Sequence, residues 1–190
     1  MSVARGAVIR GVVVVTGVMA AGKSTVAQEP AALLPRSAHI RGDVFRRMIV
    51  SGREELVPGA APGGEAEAQL RLRHRLSAVT ADAYAEAGFT AVVQDLLLGE
   101  ELSAYVDLVR TRPLYVVVLA PSPETVADRE AGRAKNGYGA WTVEALDRAL
   151  RASTPRIGLW LDTSALTVAE TVDAILAGRG GNGRGSSDVS

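Results

Sequence analysis

Residues 17–24 read Gly-Val-Met-Ala-Ala-Gly-Lys-Ser, a complete G-x-x-x-x-G-K-[ST] phosphate-binding loop, with Thr25 following on what should be the first turn of a helix. Gly17 and Gly22 let the backbone take positive φ and come close to a phosphate, where a Cβ would collide. Gly17, Ala20, Ala21, Gly22, Lys23, Ser24 and Thr25 would then present successive N–H groups to the β-phosphate, helped by the positive end of the helix. Lys23 should reach the β- and γ-phosphates, and the Ser24 hydroxyl should ligate Mg²⁺.

Other residues could turn nucleotide binding into transfer. Phosphoryl transfer needs a group that positions the acceptor oxygen, a held metal and cations over the migrating group. Asp43, in Arg41-Gly42-Asp43, suits the first task, with Gly42 expected to leave room for a substrate; an N-cap for the helix at Val44 is the structural use open to the same carboxylate. Asp95 ends the apolar run Thr90-Ala91-Val92-Val93-Gln94, the Walker-B pattern, and would hold Mg²⁺ or contact the acceptor. Arg129 and Arg133 lie one helical turn apart, ahead of the polar, glycine-rich stretch Ala134-Lys135-Asn136-Gly137-Tyr138-Gly139. That composition suits a lid over about residues 134–141 that delivers arginines to the transferred phosphoryl group; pairing of Arg129 with Asp128 or Glu124 is the plainer use. Arg46, Arg47 and Arg53 near Asp43 fit either an anionic acceptor or a solvated helix face. His39 and His74 have no second His or Cys nearby, so they do not suggest a metal site.

These residues need a scaffold, and hydrophobic periodicity supplies one. Val8, Ile9 and Val12 to Val15 form a β-branched run for a strand buried on both faces, leading into the loop. The helix from Ser24 meets no breaker until Pro30. Further strands are expected at 38–40, 89–93, 114–119 and 157–161, and helices at 44–50, 65–87, 101–110, 123–133, 142–151 and 168–176. The long helix carries Leu72, Leu76, Val79 and Ala83 on one stripe, expected to face the core. Residues 52–64 form a Pro/Gly-rich break. Strand and helix alternation predicts an α/β fold of the P-loop NTPase or kinase type, a three-layer sandwich with a five-stranded parallel sheet. Asp43, Asp95 and the phosphate loop all follow strand ends, so they should converge at one edge of that sheet.

Composition sets limits. A chain of 190 residues makes one domain, expected over 1–177, with the Gly/Arg/Ser-rich stretch 178–190 as a flexible tail. Lys and Arg number 21, as do Asp and Glu, and this balance argues against a general nucleic-acid binder. There are no cysteines, which excludes a disulfide scaffold or Cys-ligated zinc and fits a cytoplasmic protein. No apolar run approaches the ~20 residues that span a bilayer, and the basic start lacks a cleavage pattern, so no membrane partner is expected.

The strand, G-x-x-x-A-G-K-S loop, Gly42-Asp43 and Gln94-Asp95-Leu96-Leu97-Leu98-Gly99 together resemble the chloramphenicol phosphotransferase group of P-loop kinases. That resemblance implies a base role for Asp43 toward the acceptor hydroxyl, and a lid entry at Arg129-Glu130 and Arg133. The stretch 133–175, with Lys135-Asn136, Trp141, Leu146-Asp147-Arg148 and Leu161-Asp162-Thr163, is similar to the ATP-binding tunicamycin-resistance proteins. The similarities cover most of residues 8–177, whereas residues 51–69 depart from both groups.

The expectation is an ATP- and Mg²⁺-dependent enzyme that phosphorylates a hydroxyl of a small molecule, with antibiotics among the candidate acceptors. A nucleotide-dependent switch or ATPase is the alternative from another class, although no N-K-x-D guanine-specificity element is present. A toxin-type kinase acting on nucleotide sugars is a third.

Overall fold

The computed structural model describes residues 10–59, 62–132 and 141–178. The expected strand residues Val8 and Ile9, Arg133 with nearly all of the expected lid, and the tail from 179 onward lie outside the described residues.

The chain runs β1 (Gly11–Gly17), α1 (Lys23–Leu33), β2 (Ser37–Arg41), α2 (Gly42–Arg47), α3 (Glu65–Glu86), β3 (Thr90–Gln94), α4 (Glu100–Leu108), β4 (Leu114–Leu119), α5 (Pro123–Ala131), α6 (Val143–Arg148), β5 (Leu159–Leu161) and α7 (Val168–Gly178). The five strands form one parallel sheet in the order β2-β3-β1-β4-β5. Parallel strands need crossover helices, which cover both faces, and this explains why β1 can be Gly-Val-Val-Val-Val-Thr-Gly and buried throughout. Val13 lies between Val92 of β3 and Tyr115 of β4. The core gathers β1, β3 and β4 with Val26 and Ala27 of α1, Ala78 and Ala81 of α3, Leu102 and Tyr105 of α4, and Ile175 of α7.

Several boundaries differ from expectation for local reasons. α1 continues through Pro30 to Leu33, although Pro30 has no N–H to give to the Val26 carbonyl. The helix expected at 142–151 is capped by Thr142, whose Oγ1 accepts from Ala145 N at 3.1 Å, and after Arg148 it widens into a π-helical turn, Ala149–Ser153. Thr154 closes that turn, donating to Ala149 O at 2.9 Å and accepting from Gly99 N at 2.8 Å.

The stripe on α3 is a correction. Leu76 is 41% exposed and Val79 60%, with Leu72 and Ala83 also on the outside. His74, Ser77, Ala78, Ala81 and Asp82 face inward instead. The small alanines let the helix approach the sheet closely, and the polar groups beside them have partners. Ser77 Oγ and Tyr105 Oη lie 3.0 Å apart, His74 Nδ1 lies 3.0 Å from Glu101 Oε2, and Asp82 accepts from Thr111 N at 2.9 Å and Arg110 N at 3.2 Å. The bonds to Ser77, Asp82 and His74 Nδ1 lower the penalty of burying that face, although His74 Nε2 has no partner, so apolar periodicity alone points to the wrong side.

Candidate active site

The loop that joins β1 to α1 has the conformation its glycines permit. Gly17 has φ 143° and Gly22 φ 94°, and a Cβ on Gly17 would strike the Leu119 carbonyl oxygen of β4. Ala20 also takes a positive φ, 59°. Lys23 Nζ folds over the turn and donates to the carbonyls of Gly17 at 2.8 Å and Val18 at 2.7 Å, so the ammonium sits against the loop. Thr16, fully buried, donates to Leu97 O at 3.1 Å and accepts from Leu97 N at 2.9 Å, which ties the strand before the loop to the segment after β3.

A second cluster forms at the ends of β2 and β3. Asp43 is not the cap of α2; the cap position belongs to Arg41, without a side-chain bond, and Asp43 lies within the first turn. Its Oδ1 accepts from Arg46 Nε at 3.1 Å and its Oδ2 from Arg47. Partial burial pushes the Asp43 carboxyl up, but the hydrogen bonds from Arg47 and Arg46, with their charges, outweigh it and leave the group below its ordinary value. Asp43 is therefore ionised at neutral pH. Arg46 also pairs with Glu55, which Arg53 approaches at 3.8 Å.

Asp95 behaves differently from the Walker-B expectation. Its side chain is 0% exposed and its carboxylate is held by Arg73, whose Nε donates to Oδ2 at 3.0 Å while a terminal nitrogen bonds Oδ1. Leu96 N adds a bond to Oδ1 at 2.7 Å. The side chain that stands on Ser24 is that of the preceding residue: Gln94 Nε2 donates to Ser24 Oγ at 3.0 Å. Gly42 is also assigned differently, since a Cβ there would overlap the Asp95 carboxylate, so its missing side chain makes room for Asp95 and not for a substrate.

Arg73 and Gln94 carry no motif that marks them in the sequence. The available signal for Arg73 was its spacing, one and two turns before Ser77 and Ala81 on the inward face of α3. Gln94 is connected further: its Oε1 lies 3.3 Å from His39 Nε2, and His39 Nδ1 lies 2.8 Å from Gln28 Oε1. Burial lowers the His39 value, the Gln94 bond raises it and the Arg41 charge lowers it, with a net result below the ordinary value, so the imidazole is neutral at pH 7.

Arg129 pairs with neither Asp128 nor Glu124; it donates to Thr163 O, after β5, at 2.9 Å. At the far end of the expected lid, Trp141 Nε1 donates to Leu56 O at 3.2 Å, joining it to the segment 51–69. Gln69 pins that segment through Gly52 O at 2.8 Å and Glu54 N at 3.0 Å.

Among the described residues no group of three or more His, Cys, Asp or Glu could hold a metal ion by itself. The donors present do fit Mg²⁺ carried by a nucleotide, which keeps waters and phosphate ligands and takes only one or two groups from the protein. Ser24, at the N-terminus of α1 with Gln94 on its hydroxyl, is the group placed to serve. No helix among the described residues is long and apolar enough to cross a membrane.

Known proteins share this architecture. A sugar kinase from Janibacter sp. HTCC2649 superposes with a TM-score of 0.67 at 19% identity, covering 90% of this chain and 95% of that one. The Mycobacterium tuberculosis APS kinase in complex with AMPPNP and APS gives 0.64 at 15%, covering 91% and 99%. The Deinococcus radiodurans tunicamycin resistance protein gives 0.61 at 17%, covering 90% and 96%. No curated protein matches by sequence. These superpositions show the P-loop kinase-like fold, and a family model described as an AAA domain matches residues 12–156, which include the phosphate loop, Asp43 and Asp95. The chain belongs to that AAA domain family.

Proposed function

We propose that the protein is a phosphotransferase that moves the γ-phosphoryl group of ATP to a hydroxyl of a small molecule. The observation that carries this reading is Asp43: an ionised carboxylate, oriented by Arg46 and Arg47, at the same edge of the sheet as the phosphate loop. An NTPase switch has no need of such a group with its own arginine frame. The kinase-like fold, and solved relatives whose names include a sugar kinase and an APS kinase, support it.

In this reading the loop amides and the N-terminus of α1 bind the phosphates, and Lys23 leaves the carbonyls of Gly17 and Val18 to follow the transferred group. Bound Mg²⁺ supplies charge neutralisation on the phosphate oxygens. Asp43 accepts a hydrogen bond from the acceptor hydroxyl and aims its oxygen. With its value depressed it stays ionised, and it takes the hydroxyl proton late, as suits a loose transition state. Arg73 and Asp95 form the rigid floor under α2 that keeps Asp43 in place. Arg129 and Arg133 provide cations from the lid side, and the segment 51–69 with Trp141 selects the acceptor.

The test is mass spectrometry of a panel of sugars, sugar acids, nucleosides and antibiotics, tunicamycin and chloramphenicol included, incubated with protein, ATP and Mg²⁺. A phosphorylated product formed by the wild type and not by Lys23→Ala supports the proposal. Nucleotide turnover with no phosphorylated compound across the panel favours the switch or ATPase.

A further inference from the structure

Four side chains close a ring beside the phosphate loop, and none of them except Ser24 has a part in the reading above. Ser24 and Gln28 lie one turn apart on the same face of α1. Across from them, His39 of β2 pairs with Val92, and Gln94 lies two residues further along β3, so both side chains leave the same face of the sheet. The contacts run Ser24 Oγ to Gln94 Nε2 at 3.0 Å, Gln94 Oε1 to His39 Nε2 at 3.3 Å, and His39 Nδ1 to Gln28 Oε1 at 2.8 Å. The helix backbone from Gln28 to Ser24 completes the circuit.

We infer that Gln94 and His39 are positioning residues that fix the orientation of the Ser24 hydroxyl toward a metal–nucleotide complex. The inference rests on the reading of Ser24 as the protein's ligand to the nucleotide-bound cation. A primary amide has a donor end and an acceptor end, so Ser24 and His39 must take opposite ends of Gln94. With the amide NH₂ on Ser24, its oxygen faces His39 Nε2, which donates; the neutral ring then accepts at Nδ1, so the Gln28 amide turns its NH₂ toward it. The Gln94 donor occupies one lone pair of Ser24 Oγ, leaving the other lone pair for a cation and the proton for a phosphate oxygen or water. Without the imidazole N–H the amide is free to turn over and offer its oxygen, and Ser24 would then spend its proton on Gln94. An amide in this place also adds no negative charge beside the loop, unlike a carboxylate, so electrostatic neutralisation of the cation falls to the phosphates.

The full chain is titrated with a fluorescent ATP analogue at increasing Mg²⁺. Removing an outer-sphere partner typically costs a factor of about 10–100 in metal affinity. Gln94→Leu and His39→Leu should therefore raise the Mg²⁺ concentration for half-maximal binding by about tenfold or more, leaving metal-free nucleotide affinity within about twofold. His39→Gln, which places an amide N–H near the position of Nε2, should return the Mg²⁺ requirement to within about threefold of wild type. If a leucine variant does not fold, Gln94→Asn withdraws the amide by one methylene while keeping it polar, and should show the same Mg²⁺ shift. An unchanged Mg²⁺ requirement in the His39 or Gln94 variants overturns the inference, as does an equal loss of affinity with and without Mg²⁺. Absence of any Mg²⁺-dependent nucleotide binding in the wild type would instead bring down the phosphotransferase reading with it.

Discussion

The Cα of Gly42 abuts the buried carboxylate of Asp95, so closely that a methyl group at residue 42 would overlap it. This contact joins the end of β2 to the end of β3 and sets Asp43, one residue on, above the Arg73–Asp95 ion pair. The position of Asp43 is thus decided by a backbone atom and a salt bridge acting together.

Gly42→Ala is expected to destabilise the protein by about 1–3 kcal/mol, the usual cost of overpacking a close contact. It should also lower transfer activity, because relief of the clash moves α2. Urea unfolding checks the first part; a wild-type midpoint would show that the contact relaxes freely.

Removing one member of the buried pair leaves the other charged and unpaired. Arg73→Ala should cost about 3–5 kcal/mol, while Arg73→Met combined with Asp95→Leu, which removes both charges, should cost much less. A double-mutant cycle on unfolding free energies measures the coupling, and additive losses would deny it.

Asp82 ties α3 to the turn after α4. Burial raises its carboxyl, but the bonds from Thr111 and Arg110 prevail and hold the folded-state value below the ordinary carboxylate range. A group depressed on folding contributes fully above its unfolded value and loses that contribution as pH falls through the folded one. Asp82→Asn should therefore destabilise the protein at pH 7 and flatten the loss of stability below about pH 4. Equal slopes in acid titrations of wild type and variant would contradict the assignment.

The inward face of α3 can be tested by contrast. Val79→Lys, on the exposed stripe, should change stability by no more than about 0.5 kcal/mol. Ala81→Leu, against the core, should cost about 1–3 kcal/mol or more. Thermal unfolding that reverses this ranking would restore the apolar stripe to the core.

The sequence is informative wherever the causes are local. The phosphate loop follows from glycine spacing, the central strand from an unbroken β-branched run, and the parallel sheet from the alternation of strands and helices. The convergence of Asp43 and Asp95 was also legible, since both follow strand ends. What each of them touches was not. Gly42 reads as space for a ligand until Asp95 fills it, and Asp95 reads as a metal carboxylate until Arg73 arrives from the middle of α3. Gln94 seemed only the last residue before an aspartate, yet strand alternation turns it, and not Asp95, toward Ser24. The inward face of α3 is hidden in the sequence because its apolar residues signal periodicity more strongly than Ser77, His74 and Asp82 signal their distant partners.

Asp43 carries the central claim, and Asp43→Asn tests it most directly. With an acceptor from the compound panel, kcat should fall by about 10²–10⁴ while ATP affinity stays within about twofold of wild type. Wild-type turnover in that variant would contradict the account.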